Sequence, residues 1–291
     1  MEFGCLKETP SVRTYTYGGV CGSREINLPE SYMLPNERLP KVTSQGSIWA
    51  CVAFSIAEIL SIFNYDEFGK QEQFSEGFIY GYNRKADYRG MYPQSTLDLM
   101  TKTGSVPKKY YNELCEMPYM ASKIRENPNI DVLVEIAQKY KIKGYVGFLR
   151  GEIEEVKEAL LSSQTPILAV SDSYFGGSHA IIIIGWEKDG WVVQNSWGEN
   201  WGNGGRACIP YSAVQQKFLI SDEVFELKFN DVSKDKWYYD AIRETVFNGL
   251  MQGTSEDTFE PDRPITRGEM AQLCVNLCKK VDDILALAKK D

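Results

Sequence analysis

The chain has 291 residues, 43% hydrophobic and 25% charged, the balance of an ordinary globular protein, which excludes wholesale disorder and a fibrous repeat. The formal charge is −8 with no Lys/Arg cluster, so nucleic acid is not an expected partner. The longest apolar run, Ala180 to Trp186, falls far short of the roughly 18 residues that cross a bilayer, so no membrane span is expected.

At roughly 150 residues per domain the length predicts one large domain and one small one. Residues 1–27 are polar, Gly-rich and Tyr-bearing, and read as an irregular arm. Met1–Cys5 has no basic segment followed by an apolar core, so no secretory signal peptide is expected. From Leu28 helical signals dominate. Cys51–Phe63 is apolar on nearly every face, the mark of a buried helix, and further helices are predicted over Ser75–Lys85, Ser95–Thr103, Val132–Tyr140 and Glu152–Leu161. After Pro166 the pattern turns to short strands, Ile167–Ser171, Ala180–Trp186, Trp191–Asn195 and Arg206–Pro210, separated by Gly-rich turns. Helices first and sheet afterwards is an α+β arrangement with two lobes and a cleft between them. From about residue 227 two helical stretches, Trp237–Asn248 and Thr266–Lys280, form the small domain.

Seven cysteines, at 5, 21, 51, 115, 208, 274 and 278, leave at least one free or paired to another molecule. Cys274 and Cys278 share a helix face, but with one histidine in the chain their spacing is poor for zinc, and no metal site is expected. That histidine, His179, is the single candidate for imidazole chemistry, at the mouth of the strand that starts at Ala180. Cys51 opens the buried helix, whose unpaired N–H groups and positive dipole end stabilise a thiolate. Asn195, just after a strand, is of the type that fixes an imidazole tautomer by accepting its N–H. Taken singly, Cys51 is equally a thiol packed as a hydrophobe, His179 an ordinary core residue and Asn195 a strand-to-turn residue.

In the order Cys51…His179…Asn195, with His and Asn 128 and 144 positions after Cys, the set resembles the papain-like cysteine peptidases. The resemblance runs from about Leu28 to Pro210 and includes Gln45 and the stretches Gly90-Met91-Tyr92-Pro93 and Asn195-Ser196-Trp197-Gly198. It implies a helical left lobe and an antiparallel β-sheet or barrel right lobe over residues 28–226. It also implies Cys51 as nucleophile, His179 as general base and then acid, Asn195 orienting His179, and Trp197 shielding that bond from water. The Gln45 amide and the Cys51 N–H become the oxyanion hole, and Gly90, Met91, Tyr92, Pro93, Ser178 and Trp197 become substrate-binding positions. No cofactor is called for, and a Cys51 pKa well below the free-thiol value is expected. Ile48 stands where the family has a Cys and Val52 where it has a Trp, which removes the usual left-lobe disulfide. Met91 replaces a Gly at the substrate edge. The short arm Gly4–Tyr17 is similar to the N-terminal extension of bacterial members.

Phe229-Asn230-Asp231…Trp237-Tyr238-Tyr239-Asp240…Phe259-Glu260-Pro261…Thr266-Arg267-Gly268-Glu269-Met270 resembles a single S-layer homology (SLH) motif, a bacterial wall-attachment module, over residues 227–291. Thr266 and Glu269 read as a capping box, and Trp237 and Phe259 as core anchors. The resemblance implies secondary cell-wall polysaccharide as a partner. Because the family usually combines three such motifs and this chain has one, either three chains assemble through this module, which is the expectation here, or the module only folds and does not anchor. The expected function is a thiol endopeptidase acting on peptide or protein at a bacterial cell surface, with a cytoplasmic or phage-associated setting as the alternative. A catalytically silent papain-like domain serving a wall or virion assembly is the other reading, and an acyl-transferring enzyme a third.

Overall fold

The computed structural model describes residues 4–6, 15–21, 27–83, 90–113, 124–148, 153–223, 225–227, 229–255 and 257–288. The left lobe is built on a central helix, α2 (Cys51–Phe68), which follows a short N-terminal helix, α1 (Tyr17–Cys21). α2 is buried continuously from Cys51 to Asn64, as its all-round apolar sequence requires, and runs past the expected Phe63 to stop at Gly69. Around it lie α3 (Glu76–Asn83), where the Ser75 hydroxyl accepts the Phe78 N–H at 3.0 Å, and α4 (Pro93–Thr103), with Pro93 in its first turn. α5 (Ile130–Ala137) continues as a 3₁₀ turn to Tyr140, and α6 (Ile153–Ser163) carries acids in its first turn. Arg84, Lys85 and Glu152, at the edges of expected helices, lie outside the described residues.

Among the described residues the right lobe is one antiparallel sheet of seven strands: β1 (Tyr32–Met33), β2 (Gly144–Gly147), β3 (Ile167–Ser171), β4 (His179–Glu187), β5 (Gly190–Gln194), β6 (Arg206–Pro210) and β7 (Gln216–Ser221). The order is β2-β7-β3-β4-β5-β6. β3 pairs only with the His179–Ile183 half of β4, and β1 takes the edge left beyond it, opposite Gly185 and Trp186. β3 and the first eight residues of β4 are buried on both faces, because β4 lies between α2 and α6. This explains why both read as unbroken apolar runs rather than alternating ones.

β1, β2 and β7 were not among the expected strands. β1 is two residues long, β2 is half glycine, and β7 reads Gln-Lys followed by Phe-Leu-Ile, so none carries a period-2 signal. In the C-terminal region α7 (Tyr239–Phe247) and α8 (Arg267–Ala288) flank a loop in which the Asp231 carboxylate accepts the N–H groups of Phe259 and Glu260 at 2.9 and 2.6 Å. α8 opens on the predicted capping box: Glu269 Oε2 accepts the Thr266 N–H at 2.7 Å and the Glu269 N–H donates to Thr266 Oγ1 at 3.2 Å. Phe259 packs on Phe229 at 5.4 Å, but Trp237 is 90% exposed and is not a core anchor. Among the described residues no helix is long and apolar enough to cross a membrane.

The arm is more ordered than an irregular segment. Gly4–Leu6 lies along Met91, Thr16 bridges to Gly147 of β2, and Tyr17–Cys21 is helical. Tyr15 and Thr16 also grip the C-terminal module: the Thr16 N–H donates to Phe247 O at 2.8 Å, Tyr15 OH to Glu244 at 2.5 Å, and the Tyr15 ring meets Phe247 at 5.2 Å. Residues 7–14, the middle of the arm, lie outside the described residues.

Candidate active site

Cys51 is the first residue of α2, and no side chain caps that end. The backbone N–H groups of Cys51 and Val52 therefore point at the thiol sulfur, which also takes the N–H of Ala180. Ala180 follows His179 at the start of β4, so the sulfur sits against the backbone that carries the imidazole.

Asn195 immediately follows β5, opposite the start of β4, and its side chain meets His179 Nε2 at 2.7 Å. The same Asn195 oxygen accepts the Ser196 N–H at 2.8 Å, which fixes it as the acceptor. The imidazole proton therefore lies on Nε2, and neutral Nδ1 keeps its lone pair for a second proton. The Trp197 ring lies 4.7 Å from the imidazole at a tilt of 31°, and Phe175 approaches its edge at 5.2 Å. These rings exclude water from the His179–Asn195 bond.

Gln45 is buried and held at both ends of its side chain. Oε1 accepts the Ser196 hydroxyl at 2.6 Å and Nε2 donates to Ile48 O at 2.7 Å, which uses one of the two amide hydrogens. Ser196 thus ties Gln45 to Asn195. Gly90 and Met91 lead into α4, with Tyr92 before its first turn and Pro93 beginning it. Ser178 Oγ is buried and has no hydrogen-bond partner among the described residues.

The arm fills this groove. Met91 donates its N–H to Gly4 O at 2.8 Å and accepts the Leu6 N–H at 2.9 Å, so Cys5 pairs with Met91 in an isolated parallel bridge. The Gly4 N–H reaches the Cys51 sulfur. Two glycines make the approach possible. A Cβ on Gly4 would stand 2.1 Å from the Trp49 carbonyl carbon, and one on Gly90 2.6 Å from Gly4 O, both inside contact distance.

The papain family cysteine protease profile matches residues 28–224 and the S-layer homology domain profile matches residues 228–271. The chain belongs to the papain family of cysteine proteases. A cysteine protease of Blomia tropicalis is 26% identical over 237 residues, covering 72% of this chain and 66% of the relative. The surface-layer 125 kDa protein of Lysinibacillus sphaericus is 45% identical over 51 residues, 18% of this chain but only 4% of that protein. Among solved structures, xylellain, a cysteine protease from Xylella fastidiosa, superposes with a TM-score of 0.61 at 21% identity, covering 76% of this chain and 96% of the other. The Carica candamarcensis protease CMS1MS2, solved with E-64, gives 0.51 at 17% identity, covering 67% and 100%. These two likenesses show the same two-lobed fold.

The ionisation expected for this papain-family site is reversed in the covered state. Cys51 and His179 are both 0% exposed. Burial pushes the thiol up to about 11, against the pull of the Ala180, Gly4, Val52 and Cys51 N–H groups. Burial likewise pushes His179 down to about 4, against the Asn195 bond. Desolvation outweighs the helix N-terminus, so under the arm the pair is neutral thiol and neutral imidazole. The sequence reading missed Phe175 and Trp201, which meet Trp197 edge-on, and the Gly4 contact with the sulfur. Ser196 stood inside the quoted Asn-Ser-Trp-Gly stretch, whereas Phe175 sits in a loop with no spacing to betray it. Cys51, Cys208, Cys274 and Cys278 are in no disulfide and keep their thiols. Among the described residues no group of three or more His, Cys, Asp or Glu side chains is placed to hold a metal ion.

Proposed function

We propose that the chain is a latent thiol peptidase of a bacterial cell surface, with Cys51 as nucleophile, His179 as proton carrier and Asn195 as the group that orients it. The observation that carries this reading is the 2.7 Å bond from His179 Nε2 to Asn195, with the Cys51 sulfur on the adjoining Ala180 N–H. When substrate replaces the arm, His179 Nδ1 takes the thiol proton and the sulfur attacks the scissile carbonyl carbon. The resulting oxyanion is met by the second Gln45 amide hydrogen and the Cys51 N–H. His179 then gives its proton to the leaving amine as the C–N bond breaks. A water, deprotonated by the same nitrogen, cleaves the thioester and restores the thiol. Gly90, Met91, Tyr92, Pro93, Ser178 and Trp197 line the substrate path.

Latency follows from the arm. A substrate strand needs the Met91 N–H and O that Gly4 and Leu6 now occupy, and the parallel direction of Cys5 against Met91 makes the arm an occupant rather than a substrate. Its far end is held on α7 by Tyr15 and Thr16, so the cleft and the C-terminal module grip one segment.

The SLH module directs the peptidase to anionic wall polysaccharide, and three copies assemble through α8. Met270, Cys274, Leu277 and Val281 lie on one stripe at spacings of four, three and four, and all are exposed. That stripe has the pattern of a helix that packs against its own kind. Leu277→Glu is expected to turn a trimeric sedimentation profile monomeric; a wild-type chain that is monomeric at micromolar concentration overturns the assembly. For the peptidase, incubation with E-64 followed by peptide mapping is expected to place the adduct on Cys51. Folded protein that hydrolyses no peptide and forms no adduct there, even with the arm displaced, means the silent domain instead.

A further inference from the structure

The C-terminal module completes its first helix with a piece of the arm. Phe247 is the last residue of α7, and the carbonyls of a helix's last turn lack partners within the helix. Phe247 O accepts two hydrogen bonds from Thr16 instead, from its N–H at 2.8 Å and from Oγ1 at 3.3 Å. The same segment is held from the other side by β2. The Gly147 N–H donates to Tyr15 O at 2.7 Å, and Thr16 and Gly147 form an isolated parallel bridge. Tyr15 adds a side-chain grip on α7. Its ring lies 5.2 Å from the Arg243 guanidinium and meets Phe247 edge-on at 5.2 Å. Its hydroxyl donates to Glu244 at 2.5 Å and accepts Arg243 Nη1 at 2.9 Å. Thr16 and Phe247 are buried, and Ile242, Val246 and Phe247 share one apolar cluster with Tyr17, Val20 and Val146. Tyr15 and Thr16 are thus wedged between β2 and α7, nine positions after the Leu6 that Met91 holds in the cleft.

We propose that the C-terminal module is the latch of the arm: by holding Tyr15 and Thr16 against β2, α7 keeps Gly4–Leu6 in the cleft, and undocking of α7 opens it. The proposal rests on the reading of the arm as the occupant of a working peptidase cleft. A tethered occupant competes with substrate through its local concentration, which falls once the near end of the tether is no longer fixed. Two docking steps that share one ordered segment favour each other, and the coupling acts equally in both directions. What loosens α7 therefore frees the cleft, and what fills the cleft loosens α7.

The test reads both directions on the full chain. From the cleft side, hydrogen exchange is followed before and after E-64 has modified Cys51. The adduct is expected to speed exchange at Cys5 and Leu6 and, about fivefold, at Thr16 and the last turn of α7. From the module side, kinetics with a fluorogenic peptide are measured on Arg243→Ala combined with Glu244→Ala, which strips the hydroxyl partners from Tyr15. Apparent KM is expected to fall about fivefold with kcat within twofold, because the open fraction of the cleft sets the apparent affinity. Tyr15→Phe keeps the ring, loses both hydroxyl bonds and is expected to lower KM about threefold; it carries the test if the double variant does not fold. An adduct that frees Cys5 and Leu6 while Thr16 and α7 exchange as before overturns the latch, as does a folded double variant with wild-type KM. A folded chain that takes no E-64 at Cys51 overturns the peptidase reading on which the latch rests, and an adduct that leaves Cys5 and Leu6 protected overturns the arm as occupant.

Discussion

The two helices that open the left lobe and close the chain begin in opposite ways. α2 starts at Cys51 with no side-chain cap, sealed in the core, and its first N–H groups go to a sulfur. α8 starts on a complete capping box in solvent: Thr266 and Glu269 satisfy each other, and hydrogen bonds from Arg263 first and Thr266 next hold the Glu269 carboxyl down at about 2. The body of α2 is buried on all sides, while that of α8 leaves Met270, Leu277 and Val281 40–50% exposed. The difference teaches where a helix terminus is reserved for chemistry. Donors that a cap would consume stay open at α2 and are consumed at α8.

The largest test of that contrast removes the sulfur. Cys51→Ala is expected to leave the fold intact and to lower kcat/KM by roughly 10⁴-fold or more, read with a peptide substrate. An intermediate effect is expected from Gly4→Val. Its new carbon atoms meet the Trp49 backbone and force the arm out, so apparent KM should fall about tenfold with kcat unchanged. The smallest is Thr266→Ala, which costs roughly 0.5–2 kcal/mol of helix stability and shows as a lower Tm of the module, with peptidase kcat untouched. A kcat effect from Thr266→Ala comparable with that of Cys51→Ala would break the distinction between the two termini.

The pH range over which the fold is firmest follows from the same burial. The Cys51 thiol goes from an ordinary 9.0 to about 11, so its contribution is complete below pH 9 and is lost as pH rises through 11. His179 goes from 6.5 to about 4, so its contribution is complete above pH 6.5 and is lost as pH falls through 4. From these two groups the folded chain is therefore expected to be most stable between about pH 6.5 and 9, with Tm falling on either side of that window.

Much of this was legible in the chain. The apolar wrap of Cys51–Phe63, the Thr266-x-x-Glu269 box and the strands at Ile167–Ser171 and Arg206–Pro210 announced themselves by period or by capping chemistry, because each is a local signal. The solitary histidine pointed to its partners because nothing else in the chain supplies an imidazole. What stayed hidden depends on distant contacts: β1, which fills half an edge of β4; the path of Gly4–Leu6 along Met91; and the solvent exposure of Trp237. The low thiol pKa expected from the helix N-terminus failed for the same reason. The donors are local and readable, but the burial that outweighs them comes from tertiary packing around Cys51 that no spacing reveals.

The most direct measurement is the pH dependence of iodoacetamide alkylation at Cys51, mapped by peptide mass, in wild type and in Gly4→Val. The thiol is expected to resist alkylation at neutral pH in wild type and to react readily at neutral pH once the arm is displaced, with Cys51 modified ahead of Cys208. A Cys51 that reacts no faster in Gly4→Val than in wild type, and in both only at strongly alkaline pH, would contradict that expectation.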